Sequence, residues 1–164
     1  MSQRESHNYL HTLKDVHIAI EGILQQIIST QTAESCSKCD NVCCNVDICR
    51  ESIESDFLRF ILGPEITKYR DDTGWYTPKM GCQLEFGRPL ICYEYLCSRL
   101  KNKRIDESVQ ISRKIISIYS NVFAKKHILE IDDVNKIKPY KLKQIIDELK
   151  TLKEEANDLL KRVS

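Results

Sequence analysis

The chain has 164 residues with 25 basic and 24 acidic side chains, so it has the length of one ordinary domain and almost no net charge. Because the charges nearly cancel, the molecule as a whole is not expected to bind polyanions such as nucleic acid. No apolar run approaches the roughly 20 residues that cross a bilayer, and the first residues show no apolar signal segment. We therefore expect a single cytoplasmic domain, residues 1–164, without a membrane partner.

Two long amphipathic helices are predicted on either side of the middle of the chain. Residues 7–29 repeat apolar side chains every three or four positions, and residues 106–128 do the same. The sequence STQTAES after the first stretch breaks the pattern, so we expect the helix to end there.

A short helix and a turn are predicted between the long helices. Residues 52–62 form the short helix, with Ser52 as its N-cap and a Gly-Pro pair as its stop signal. Residues 71–81 are rich in turn-forming residues and indicate a small hairpin around Gly74.

The last helix is predicted to begin at Pro139, a residue that suits a first helical turn. Its apolar side chains alternate in steps of three and four over three heptads: Leu142, Ile145, Leu149, Leu152, Ala156, Leu159 and Val163. This spacing is the lower limit for a coiled coil. We favour packing against the other helices of the same chain, with a homodimer or another protein partner through the terminal helices as the alternative.

All eight cysteines lie in the segment between the first two long helices: Cys36, Cys39, Cys43, Cys44, Cys49, Cys82, Cys92 and Cys97. In a reducing compartment, thiols at this density are most simply explained as metal ligands. The predicted fold is therefore mainly α: a helical bundle scaffold with an irregular cysteine-rich metal-binding insert at about residues 35–98.

The spacing of the first cysteines is typical of metal sites. Cys36 and Cys39 form a C-x2-C pair, whose two sulfurs can reach one ion from a single tight turn, and Cys43 is placed to supply a third ligand. The adjacent Cys43 and Cys44 point in different directions, so they serve two metals more naturally than one, unless one of them bridges or stays free. Eight thiols can fill two four-coordinate sites, and the sequence leaves their partition open.

Arg88 lies beside the second group of cysteines and is a candidate site residue. Four thiolates on a divalent ion leave a net charge of about −2, which a guanidinium can partly offset while it donates hydrogen bonds to sulfur. Pro89 would hold the shape of that loop. The alternative is that Arg88 is an ordinary surface arginine.

The motif C-x2-C-x3-C-C, followed by GC-x-L, an RP dipeptide and C-x4-C, resembles the YkgJ-type cysteine-cluster family, whose members are described as zinc- or iron-chelating. The resemblance covers about residues 35–98. The positions that match the family pattern are Cys36, Cys39, Cys43, Cys44, Cys82, Arg88, Pro89 and Cys92.

This sequence departs from the commoner family pattern in two ways. The usual cysteine shortly before the RP dipeptide is missing, and Cys49 and Cys97 are extra or relocated thiols. The resemblance therefore leaves open which cysteines share a metal and which metal they hold. Flagellin lysine N-methylases carry a similar cluster, but this chain is too short to contain the rest of that enzyme.

An all-thiolate ligand set suits zinc and iron–sulfur clusters about equally. The order C-x2-C-x3-C is the reverse of the radical SAM loop, and the C-x2-C-x2-C-x3-C-P run of ferredoxins is absent. We therefore expect Zn²⁺, with iron or an iron–sulfur cluster as the alternative.

Other ligands inside or near the cysteine groups are weaker candidates. Asp40, Asp47 and Glu85 are expected to be solvated, and His17 is expected to be a hydrogen-bonded core residue. His7 and His11 are four residues apart on a predicted helix and could bind a metal, but no third ligand is evident.

The sequence contains no motif for nucleotide binding or serine-hydrolase chemistry. Residues 97–127 hold eight basic and two acidic side chains, a strip that could contact the phosphates of a nucleic acid. The simpler account is that these basic residues offset the charge of the acidic, cysteine-rich segment or form a solvated face. We expect a metal-binding protein with a structural or metal-handling role, rather than an enzyme. The alternatives are an iron–sulfur redox protein or enzyme component, and an interaction or nucleic-acid-binding protein.

Overall fold

A computed structural model describes residues 3–37, 45–77, 81–94, 103–123 and 136–163, together with Leu100. The described chain is mainly α-helical. Its helices are α1 (Gln3–Ser37), α2 (Val46–Glu54), α3 (Asp56–Leu62), α4 (Lys103–Phe123) and α5 (Pro139–Val163), with two short 3-10 helices at Gly63–Lys68 and Leu90–Tyr93. Among the described helices, none combines the length and apolar character needed to cross a bilayer.

Helix α1 continues past residue 29, so the predicted break at STQTAES is wrong. Three hydroxyl side chains of this segment bond backward to helix carbonyls. The Oγ of Ser29 and the Oγ1 of Thr30 donate to the carbonyl of Gln26, and Thr32 Oγ1 donates to that of Ile28. Such bonds let Ser and Thr occupy helical positions that their low propensity would otherwise disfavour.

The short helix predicted at residues 52–62 is two helices, because the chain turns at Ser55. The Ser55 hydroxyl accepts a hydrogen bond from the Leu58 amide and is the N-cap of α3. Asn45 caps α2 in the same way, through the amide of Asp47. The prediction of Ser52 as N-cap is wrong, since Ser52 is buried in the last turn of α2. The predicted stop after Leu62 is confirmed, with Gly63 as the C-cap of α3.

Between α3 and α4 the described chain consists of short irregular elements. A turn at residues 71–73 is closed by a bridge between Arg70 and Gly74, where the sequence predicts a hairpin. A two-residue antiparallel pair follows, formed by β1 (Tyr76–Thr77) and β2 (Gly81–Cys82).

Helices α1, α4 and α5 supply most of the main core, to which α3 adds Phe57, Leu58 and Ile61, and α5 makes its most extensive contacts with α1 and then with α4. All seven heptad side chains of α5 are buried within this chain. The expected packing of α5 on its own chain is therefore confirmed, and its apolar stripe does not require a second copy. Helix α1 contributes the other large share of the core, with Leu13, Leu24 and Ile27 fully buried.

Candidate metal centre

The three cysteines whose side chains are described come from three separate elements. Cys49 lies in α2, Cys82 in β2 and Cys92 in the 3-10 helix Leu90–Tyr93. Cys49 is buried, and Cys82 and Cys92 are half-buried. The predicted ligand Cys36 lies near the end of α1, but its side chain is outside the described part of the structure, as are residues Cys39, Cys43, Cys44 and Cys97.

A second, smaller apolar core surrounds two of these thiols. It consists of Cys49, Leu62, Trp75 and Leu84, with Cys82 packed against it. Trp75 fixes this core to α2, because its indole Nε1 donates to Ser52 Oγ over 2.7 Å. The Ser52 hydroxyl in turn donates to the carbonyl of Cys49 over 2.7 Å. The buried Ser52 therefore joins Trp75 to the backbone that carries Cys49.

Close approach of the 71–74 turn to Cys49 requires glycine at position 74. Gly74 has a φ of +60°, and a Cβ there would lie 2.8 Å from Cys49 Cβ and 3.1 Å from its sulfur. Any other residue would be strained in this backbone conformation and would also press on the thiol. The loop therefore packs directly over one of the described cysteines.

Cys92 interacts electrostatically with both other thiols. Burial raises the pKa of Cys92 to about 12, and the charges of Cys49, Cys82 and Glu51 act in the same direction. The nearby positive charge of Arg88 lowers that pKa. Residues 49, 82 and 92 are thus brought into one electrostatic neighbourhood, although they are far apart in the sequence.

Arg88 lies beside this group in a fixed position. Its guanidinium donates two hydrogen bonds to the carbonyl of Leu84, from Nε over 3.1 Å and from Nη2 over 2.7 Å. These bonds close the turn between β2 and the 3-10 helix that carries Cys92. Because Arg88 is half-buried and acts on Cys92, it differs from an ordinary surface arginine. Its predicted hydrogen bonds to metal-bound sulfur stay a prediction.

A buried carboxylate from α1 holds the same turn. Glu21 is 1% exposed and accepts three hydrogen bonds from the segment that precedes and includes Tyr93. The amide of Gly87 donates to its Oε2 over 2.6 Å, the amide of Arg88 to its Oε1 over 2.7 Å, and Tyr93 Oη to Oε1 over 2.7 Å. Burial raises the pKa of Glu21 to about 7, although these three bonds and the charge of Arg88 act against the rise.

One helical turn further along α1, Gln25 extends this connection. Its Nε2 donates to the carbonyl of Glu85 over 2.6 Å and to Tyr93 Oη over 3.1 Å. Tyr93 is 1% exposed and so lies between an amide donor and a carboxylate acceptor in the interior. Helix α1 therefore contacts both ends of the turn at residues 85–93.

One turn earlier on α1, His17 faces Glu21. His17 Nδ1 is hydrogen-bonded to Tyr119 Oη over 2.8 Å, whereas its Nε2 is buried, lies 3.9 Å from Glu21 Oε2 and has no hydrogen-bond partner among the described residues. Burial lowers the pKa of His17 to about 4, so its ring is neutral near pH 7. The expected core role of His17 is confirmed, with only one of its two nitrogens satisfied.

The other candidate ligands lie away from the three thiols or at the surface. His7 and His11 are exposed and their Nε2 atoms lie 3.0 Å apart. Asp47 and Glu85 are exposed, as expected, while Asp40 is outside the described residues. Over the part of the chain that the structure describes, no group of three or more Cys, His, Asp or Glu side chains is arranged to hold a metal ion.

The basic residues of α4 are partly neutralised by acids of the same chain. Arg113 pairs with Glu94 over 3.0 Å, and Lys114 pairs with Glu155 over 2.6 Å. Neither acid belongs to the acidic stretch at residues 34–57, so the expectation that the basic residues offset that segment stays a prediction. Arg99, Lys101, Lys125 and Lys126 lie outside the described residues.

Reasoning from the sequence missed Glu21, Gln25 and Tyr93 as residues of this region. A signal for Glu21 was present, since an acid four residues after His17 and three before Leu24 falls on the apolar face of its helix. An acidic residue there is rarely buried without hydrogen-bond donors. The donors come from about 66 residues further along the chain, and no local pattern indicates them.

No protein-family model, curated protein or solved structure matches this chain. The resemblance of residues 35–98 to the YkgJ-type cluster stays a prediction.

Proposed function

We propose that this protein binds a zinc or iron ion through clustered cysteine thiolates, and that Cys49, Cys82 and Cys92 supply ligands. The observation that carries the proposal is that thiols from three separate elements lie in one region: Cys49 and Cys82 share the small core, and their charges act on the pKa of Cys92. Thiols that bind no metal gain little stability from lying close together, whereas the thiolates that bind one ion must lie close together.

The chemistry of these residues fits a thiolate-bound metal. Sulfur ligands suit zinc and iron–sulfur clusters, and the positive charge of Arg88 would offset part of the negative charge of a thiolate complex. Three sulfurs are fewer than the four of a closed zinc site. The remaining ligands would come from Cys36, Cys39, Cys43, Cys44 and Cys97, whose side chains lie outside the described residues.

Zn²⁺ is the metal that we favour, with a structural or metal-handling role. A closed site of four thiolates stabilises the segment that surrounds it, because metal-binding free energy becomes folding free energy. The described elements between α3 and α4 are short, and Trp75 and Leu84 from this segment share a small core with Cys49 of α2 and Leu62 of α3. The proposal includes a cytoplasmic location, since thiolate ligands are kept reduced in that compartment.

Cobalt substitution tests the proposal directly. The protein is stripped of metal under reducing, anaerobic conditions and titrated with Co²⁺, whose absorption bands report thiolate ligation and tetrahedral geometry. We expect saturation at one or two equivalents per chain, with thiolate-to-cobalt bands that weaken in Cys49→Ser, Cys82→Ser and Cys92→Ser.

The double variant His7→Asn/His11→Asn is the matched control, because it removes the exposed imidazole pair and no sulfur. It should leave the cobalt spectrum and stoichiometry unchanged. Cobalt bands without thiolate character, or bands that survive all three serine substitutions, would contradict the proposal. Iron with acid-labile sulfide in the protein as purified would assign the same thiols to an iron–sulfur cluster.

A further inference from the structure

We propose that Glu21 is a positioning residue for the cysteine site: from α1 it clamps the turn that carries Arg88 and Cys92 and fixes where that thiol lies. The functional role of this positioning rests on the proposed function, since the fixed position of a thiol affects metal binding only if that thiol is a metal ligand. Its geometric part stands without any metal.

The three hydrogen bonds at Glu21 engage both carboxylate oxygens. Two come from the consecutive amides of Gly87 and Arg88, and the third comes from Tyr93, the residue next to Cys92. A carboxylate that binds both ends of a short segment restrains that segment as a unit. Ionised acceptors also form stronger hydrogen bonds than neutral ones.

The turn is shaped so that the clamp can reach it. Gly87 has a φ of +78°, and a Cβ there would lie 2.7 Å from Cδ2 of Leu62, which belongs to the small core beside Cys49. The backbone at position 87 is thus held between Glu21 of the large core and Leu62 of the small core. This juxtaposition is one of the connections between the helical bundle and the cysteine region, beside those at Arg88, Glu85 and Tyr93.

The arrangement of ligands in a metal site depends on the groups that orient them, and loss of such groups typically reduces metal affinity by about 10- to 100-fold. Glu21 acts at one remove further, through the backbone on either side of Cys92. We therefore expect Glu21→Gln to reduce cobalt affinity by about 10-fold or more, within that range. Tyr93→Phe, which removes one of the three bonds and keeps the ring, should give a smaller loss in the same direction.

The experiment is performed on the full chain at pH 8, above the pKa of Glu21 of about 7, where the carboxylate is ionised. In metal-free, reduced protein, NMR hydrogen exchange is measured at the Gly87 and Arg88 amides, and alkylation rates of individual cysteines are measured by peptide mapping. Cobalt affinity is measured in parallel. Asp15→Asn is the matched control, because it removes an exposed carboxylate from the same helix.

We expect Glu21→Gln to speed exchange at both amides and to raise the alkylation rate of Cys92 more than that of Cys49, which Trp75 and Ser52 hold independently. A residue that served only global stability would raise both alkylation rates equally. An equal increase in the alkylation rates of Cys92 and Cys49, or unchanged hydrogen exchange at the Gly87 and Arg88 amides, would overturn the inference.

The cobalt result separates this inference from the proposed function. If the wild-type protein binds no metal while exchange and Cys92 alkylation respond as expected, the clamp is supported and the metal proposal fails. If metal binds with unchanged affinity in Glu21→Gln, the metal proposal stands and the positioning role is wrong. Should Glu21→Gln not fold, the same readouts in Tyr93→Phe decide, because that variant keeps the carboxylate and two of its bonds.

Discussion

The substitution Gly87→Ala should destabilise the protein through two separable effects at one position. Gly87 has a φ of +78°, which an L-residue adopts at a cost of about 1–2 kcal/mol. An added Cβ would also lie 2.7 Å and 2.8 Å from Cδ2 and Cγ of Leu62. Leu62 is 1% exposed and cannot move into solvent, so overpacking adds about 1–3 kcal/mol.

The chain supplies a matched control for the backbone effect. Gly81 has nearly the same φ of +77°, and among the described residues a Cβ there would have no neighbour within 4 Å. Gly81→Ala should therefore lower the free energy of unfolding by about 1–2 kcal/mol, the backbone cost alone. Gly87→Ala should lower it by about 2–5 kcal/mol, the sum of both effects.

Urea unfolding followed by circular dichroism measures both values, with the metal content of each sample determined alongside. Leu62→Ala in the Gly87→Ala background should recover about 1–3 kcal/mol relative to the sum of the single variants, because the overlap is then relieved. The reasoning is refuted if Gly87→Ala costs no more than Gly81→Ala, or if the two substitutions at positions 62 and 87 are additive.

Three further predictions follow from other contacts. Gly74→Ala should lower both metal content and stability, because the added Cβ would lie 2.8 Å from Cys49 Cβ. Gly81→Ala is the control, and equal metal content in the two variants would contradict a role for the contact with Cys49. The raised pKa of Glu21, from 4.5 to about 7, makes stability fall as the pH rises through that window, while the lowered pKa of His17, from 6.5 to about 4, makes stability fall as the pH drops from 6.5 to 4. In the wild-type protein these two effects oppose each other. In Glu21→Gln only the His17 effect remains, so the free energy of unfolding should fall by the order of 3 kcal/mol between pH 6.5 and 4, measured by urea unfolding. A free energy of unfolding that stays constant over this pH range would count against the buried pair. Leu149→Ala should cost about 2–5 kcal/mol without changing the mass seen by light scattering, since Leu149 is fully buried within its own chain; a drop from dimer to monomer would show that α5 is an intermolecular seam.

The helical scaffold could be predicted because its signal is local. The alternating steps of α5 and the apolar repeat of α1 each reflect which face of one helix is buried. The end of α1 could not be predicted, because Ser29, Thr30 and Thr32 satisfy their hydroxyls on the helix itself. Whether such residues stop a helix or fit into it depends on what they bond to, which their identity alone does not decide.

For the candidate metal centre, the sequence predicts thiolate ligation, which stays a prediction, and it indicates the arrangement of the cysteines only in part. Cysteine spacing indicated thiolate ligation, and in the structure the charges of Cys49 and Cys82 act on the pKa of Cys92, although Cys49 departs from the family pattern and the described side chains form no group arranged to hold a metal. Spacing describes ligands within one turn, whereas these three come from three elements. The same holds for Glu21, whose partners lie at the far end of a long stretch of chain.

The most direct test of the central claim is the metal and acid-labile sulfide content of the anaerobically purified wild-type protein, compared with that of Cys92→Ser. Our account predicts at least one equivalent of zinc or iron per chain in the wild-type protein, reduced in the variant. A wild-type protein that is free of metal, folds with unchanged stability after thorough chelation, and shows no difference from Cys92→Ser would contradict it.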